Sequence, residues 1–172
     1  MKNRRIIAVG LTVLLCLTGC SREAAPIPET TEQRMQLANP YFTVDTEEEM
    51  EELASFAVTL PSALPDWVDE VIYRTIPGEL IEVIYTDWEN EIRVRIAEGS
   101  EDISGIYDSD IGDEKDLTVG ENTVHLKGTT GADGTFTVLS GIWNTPQGRT
   151  YSVTSTEGVA EEILLPILTE IR

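Results

Sequence analysis

The chain has 172 residues, with 31 Asp and Glu against 12 Lys and Arg and a formal net charge of −19. That balance excludes nucleic acid as a partner, because phosphate binding is driven by Lys and Arg releasing counterions, whereas cations and basic partners are electrostatically welcome. The length suits one domain, which at this size buries roughly two-thirds of the surface of its unfolded chain and can hold together without disulfides or metal.

Lys2, Arg4 and Arg5 open the chain, and residues 6–17 follow without a charge. A helix needs about 20 apolar residues to span a membrane, so this run is too short and reads as the core of an export signal. Its end, Leu17-Thr18-Gly19-Cys20, resembles the lipobox of bacterial lipoproteins. The resemblance implies cleavage before Cys20, acylation of its sulfur with chains of the palmitate class, and Cys20 as the mature N-terminus. Residues 1–19 are then a signal peptide. Cys16 leaves with it, Cys20 is consumed by lipid, and the mature chain keeps nine Lys and Arg against 31 acids, a net −22. Two acyl chains, at about 0.8 kcal/mol per methylene, hold with on the order of 16 kcal/mol. The basic start keeps its own side of the membrane, so the protein is expected on the extracytoplasmic face of the cell membrane. The high negative charge argues against the domain lying flat on an anionic bilayer.

Residues 20–45 read as a flexible tether with Pro26, Pro28 and Pro40, spanning roughly 25–30 Å as a coil; Asn39 to Phe42 already touch the domain. Residues 46–172 form the globular part. Thr46 followed by Glu49 has the form of a capping box, and Glu47 to Glu49 suit the positive end of a helix dipole, which predicts a helix over 47–55. "FAVTL" predicts a strand ending at Pro61. Residues 71–76, 80–85 and 92–97, rich in Ile, Val and Tyr, predict strands. A four-residue loop at 87–90 sets Tyr85 against Ile92, Val83 against Val94 and Ile81 against Ile96 on the core face, with Glu82 across from Arg95 on the other.

Residues 98–116 read as a loop. Strands are predicted over 117–119, 123–127, 136–143 and 150–154, with turns at 120–122, 131–134 and 145–148. The last turn, taken as four residues, puts Ile142 opposite Tyr151 and Ser140 opposite Val153. Val159, Ile163, Leu164, Ile167, Leu168 and Ile171 give an apolar face at helical spacing, predicting a helix over 159–171, kinked or broken at Pro166. The fold class is α+β: a mostly antiparallel sheet of about six to eight short strands, with a short N-terminal helix and a C-terminal helix packed on it.

"EDISG" then "YDSD", "VHLKG", a Trp before a turn, "YSVTSTEGV" and a closing helix resemble the bacterial domain of unknown function numbered 4367, with "TLPSALPDW" and "IEVIYTDWENEIRVRIAEG" similar to its front half. The resemblance covers roughly residues 55–171. It implies a noncatalytic, membrane-tethered extracytoplasmic module linked to envelope sensing, and it transfers no catalytic or ligand residues.

Candidate chemistry is sparse. His125, the one histidine, reads as a surface residue of a strand, and no G-x-S-x-G elbow supports a Ser-His-Asp site. Zinc lacks its usual ligands. Gly128, Gly131 and Gly134 precede a strand rather than a helix, so they read as a hairpin and not a phosphate loop. Abundant acids always offer pairs, so a carboxylate pair for glycoside hydrolysis carries no signal. Asp108, Asp110, Asp113 and Glu114 form an acidic, Gly-containing stretch with the chemistry of a weak calcium site, although it fails the EF-hand spacing. Trp67, Trp88 and Trp143 have the makings of a sugar or peptide groove; Trp143 reads as core and Trp88, at a hairpin tip, as the exposed contact residue. The reading that follows is a lipid-anchored, noncatalytic lipoprotein that is not an enzyme, needs no cofactor, and meets the membrane through Cys20 and an envelope protein through its domain. The alternative is a lipoprotein that binds a small ligand or a cation such as calcium.

Overall fold

Alternating apolar and polar residues build one antiparallel sheet of eight strands. In this computed structural model residues 39–106 and 112–171 are described, and they fall in one unit that begins at Ala38. The strands are β1 Phe42–Val44, β2 Glu70–Ile76, β3 Leu80–Thr86, β4 Glu91–Glu98, β5 Asp113–Val119, β6 Asn122–Thr130, β7 Phe136–Asn144 and β8 Arg149–Ala160. Helix α1, Glu47–Ala54, stands near the start and α2, Glu161–Glu170, at the end. The strand order is β1-β2-β3-β4-β8-β7-β6-β5. The α+β class and the antiparallel sheet with its two terminal helices agree with the sequence pattern. Among the described residues no helix is long and apolar enough to cross a membrane.

Both helices lie on one face. Met50 and Ala54 of α1 and Leu164, Ile167 and Leu168 of α2 share a core with Ile81, Val83, Tyr85, Ile92, Val94 and Ile96. The β3–β4 register is the expected one: Ile81 pairs with Ile96, Glu82 with Arg95, Val83 with Val94 and Tyr85 with Ile92. The first helix is the expected one too. Thr46 Oγ1 accepts the Glu49 N–H at 3.2 Å, while the Glu49 carboxylate turns back to the Asp45 N–H at 3.4 Å.

Several expectations are corrected. No strand forms over 56–60. The Val58 N–H donates to the Glu51 side chain and the Ala57 carbonyl accepts from Arg149, so this crossing segment spends its backbone groups on side chains rather than on a ladder. Further along, the Ser62 and Ala63 N–H groups both donate to the Glu170 carboxylate. Strand β1 begins within the stretch read as tether, where Phe42, Thr43 and Val44 pair with Thr75, Arg74 and Tyr73. Strand β5 begins at Asp113, inside the stretch read as loop. As an edge strand it exposes both faces, so its composition resembles a loop. Helix α2 runs through Pro166 as one element.

The β7–β8 pairing is one residue off the expected register. Trp143, not Ile142, faces Tyr151, and Gly141, not Ser140, faces Val153. The cause is Gly148: at a φ of 83° it closes a turn from its N–H to the Thr145 carbonyl, and the Thr145 N–H donates to the Arg149 carbonyl, so the loop is the three residues 146–148 and not four. A slip of one flips every side chain to the other face. Here it sends Trp143 into the core, stacked on Tyr151 with ring centroids 5.2 Å apart.

Ser55 ends α1 at φ 67°, in the left-handed region that a Cβ disfavours. Ser55→Gly should raise stability by about 0.5–1 kcal/mol, seen as a higher urea midpoint at unchanged slope; an unchanged or lower midpoint would contradict the reading.

Candidate functional site

The face away from the helices carries a row of polar side chains. Arg74, Glu82, Arg95 and Ser152 sit side by side on β2, β3, β4 and β8. The row continues through Ile142 to His125 and Asp116. Glu82 is completely buried. Arg74 Nη1 stands 2.9 Å from one carboxylate oxygen, Arg95 Nε donates to the other at 2.7 Å, and Arg93 Nη1 is 3.7 Å from it. Arg93 also pairs with Glu91 at 2.8 Å. A buried carboxylate without cations would be prohibitively costly, so three arginines on the two flanking strands are the condition for Glu82 to exist where it does.

The arginines are themselves roofed. Tyr41 lies over the Arg74 guanidinium, 4.3 Å from ring centroid to carbon. Arg95 Nη1 donates to the Ile103 and Ser104 carbonyls at 3.0 and 2.6 Å. Gly105, at φ 72°, passes so close that a Cβ there would meet Arg95 Nη1 at 2.2 Å. The arrangement is an ion-paired lock between strands. A hollow of about 330 Å³ beside Arg93 and Arg95 is lined by Ser104, Ser155 and Thr156, but both guanidinium groups are already committed to acids and carbonyls. A larger hollow, about 790 Å³, lies between the β5–β6 and β7–β8 turns and the end of α2. Its cation, Arg149, is held by the Ala57 carbonyl and stacked on Phe56.

Trp88 is built differently. It occupies the second position of the β3–β4 turn at φ 78° and is 89% exposed. Asp87 organises the turn: its Oδ1 accepts from the Glu89 and Asn90 N–H groups at 3.0 and 2.6 Å, and both its oxygens accept from the Asn90 side-chain amide. Thr86 Oγ1 accepts from the Trp88 N–H and donates to the Asn90 carbonyl. Hydrogen bonds from the Asn90 backbone and side chain hold the Asp87 carboxyl below its ordinary range. The turn thus holds the Trp88 backbone while its ring stands in water.

Of the other residues singled out by sequence, Trp67 is half-buried against the core and Trp143 is core. His125 is exposed on the open face, its Nδ1 2.6 Å from Asp116. Asp113 and Glu114 are not in a loop but are consecutive strand residues, so their side chains leave opposite faces and do not converge on one ion. Asp113 accepts from the Thr130 N–H and Glu114 stands 3.4 Å from Lys127. Asp108, Asp110 and Cys20 lie outside the described residues. Among the described residues no three His, Cys, Asp or Glu side chains gather as metal ligands. The Glu82 lock was not foreseen as a whole. Its Arg95 partner is legible in the hairpin register, and Arg93 shares that face by the same alternation, whereas Arg74 needs the β2–β3 register, which the sequence pattern does not fix. Comparison with protein-family models, with curated proteins and with solved structures finds no match.

Removing the buried charge strands three cations. Glu82→Gln should therefore cost roughly 3 kcal/mol in urea unfolding, while Glu114→Gln, whose ion pair is solvent-exposed, should cost under about 0.5 kcal/mol. Equal losses would refute the lock.

The Asp87 carboxyl is depressed in the folded state, so the turn bonds are complete above the ordinary value near 3.8 and weaken as pH falls through the lower folded one. The protection of the Asn90 amide, its exchange rate compared with that of an unstructured peptide at the same pH, should fall only in that acidic window, and a fall already near neutral pH would count against it.

Proposed function

We propose that the protein is a lipid-anchored extracytoplasmic lipoprotein whose domain binds another protein or envelope component without catalysis. The observation that carries the binding part is Trp88, 89% exposed on a turn that leaves its backbone little freedom. Large aromatic side chains on ordered supports give contact area at low entropic cost. The noncatalytic part is supported by the fate of the most deeply placed carboxylate: Glu82 is neutralised by arginines and is a structural tie, not a proton donor facing a cleft. The anchoring part rests on the Leu17-Thr18-Gly19-Cys20 resemblance.

Mass spectrometry of the protein purified from membranes tests the anchor. The expected product starts at acylated Cys20, and Cys20→Ser leaves the membrane fraction. An unprocessed start, or a free thiol at Cys20, would sink the proposal. Crosslinking in intact cells then compares partners of the anchored and Cys20→Ser forms. Placement at the membrane predicts that the two sets differ, and identical sets would refute a role for placement.

A further inference from the structure

We infer that the Trp88 turn is a docking tip for a cationic segment of another protein, with a lysine or arginine side chain stacked on the indole. This deepens the binding role proposed above and rests on it.

The first ground is the company Trp88 keeps. Asp87 and Glu89 flank it in the turn. The strand register brings Glu91 and Glu70 to either side of Thr86, and the Asp69 N–H donates to the Thr86 carbonyl. Five acids therefore crowd one end of three strands. The next cation along β4, Arg93, is occupied by Glu91 and Glu82.

The second ground is the ring. An indole face attracts cations through its quadrupole, and acids around it add to the same field. An anionic headgroup or acidic peptide would meet repulsion at every approach.

The third ground is direction. The chain enters the sheet where Phe42 pairs with Thr75, and Thr75 pairs with Ile81. Thr86, at the base of the tip, lies five residues further along β3, about 17 Å at strand rise. The tip thus stands at the opposite strand ends from the point where the described chain enters the sheet, and the entering segment does not cover it. Trp88 also stands at a positive φ that Gly, Asn or Asp would occupy with less strain, so the ring is not there for the turn's sake.

The test uses the mature lipoprotein in detergent and hexalysine as the probe, with fully acetylated hexalysine as control. Hexalysine should shift the Trp88 indole resonance and the acetylated peptide should not. Trp88→Ala, which leaves the net charge unchanged, should weaken binding about fivefold, Trp88→Phe should retain most of it, and Glu89→Lys should remove it. Binding that Trp88→Ala leaves unaltered would reduce the effect to general attraction by an acidic surface and overturn the inference. So would a shift of the same resonance by phosphatidylcholine or phosphatidylglycerol vesicles with none from hexalysine, which would make the tip a membrane contact. Neither result touches the acylation of Cys20, so failure here and failure of the anchor are read separately.

Discussion

A single buried carboxylate governs the centre of this sheet. Glu82 has no access to water, and its charge is tolerable only while Arg74 and Arg95 lie directly across from it on β2 and β4. Strand β3 is therefore specified from both sides. Ile81, Val83 and Tyr85 must face the helices, and Glu82 must face the arginines. A one-residue slip of either neighbour would drive an arginine into the core and leave the carboxylate bare. Hydrophobic alternation alone gives a strand two-residue ambiguity. An ion pair at one position narrows it further, which is a use of buried charge better attested than any gain in stability.

From that centre the molecule extends in two manners. Toward β8, β7 and β6 the core face stays mostly apolar while the other carries Ser, Thr and His around Ile142. Toward the chain's entry, Tyr41 closes over Arg74, so the first described residues are fastened to the same lock. The crossing segment between α1 and β2 is gripped by Glu51, Arg149 and Glu170 in turn. Side chains hold what the ladder does not.

What the sequence revealed follows the same division. The β3–β4 hairpin was legible to the residue because two independent patterns, apolar and ionic, agree there. The β7–β8 pair differs by one position, since a glycine in left-handed conformation closes a loop of three residues where alternation allows four. Edge strand β1 and the first residues of edge strand β5, 113–116, hid in segments read as tether and loop, because a strand with little to bury has the composition of a coil. The "FAVTL" stretch erred the other way. It is apolar enough for a strand but has no partner strand, and the Val58 amide and the Ala57 carbonyl are claimed by side chains. The position of Trp88 was legible from the hairpin; the backbone angle that holds it and the acids gathered around it needed three dimensions.

The two borders of the sheet have a consequence for crowded copies. Strand β1 offers three residues, and β5 presents Asp113, Glu114, Lys115 and Asp116 to solvent. Neither is a good template for adding a further strand, the one by brevity and the other by repulsion. Crowded sheet proteins with open edges fail by ribbon-like growth. Blunted borders let such a population stay dense and still separate.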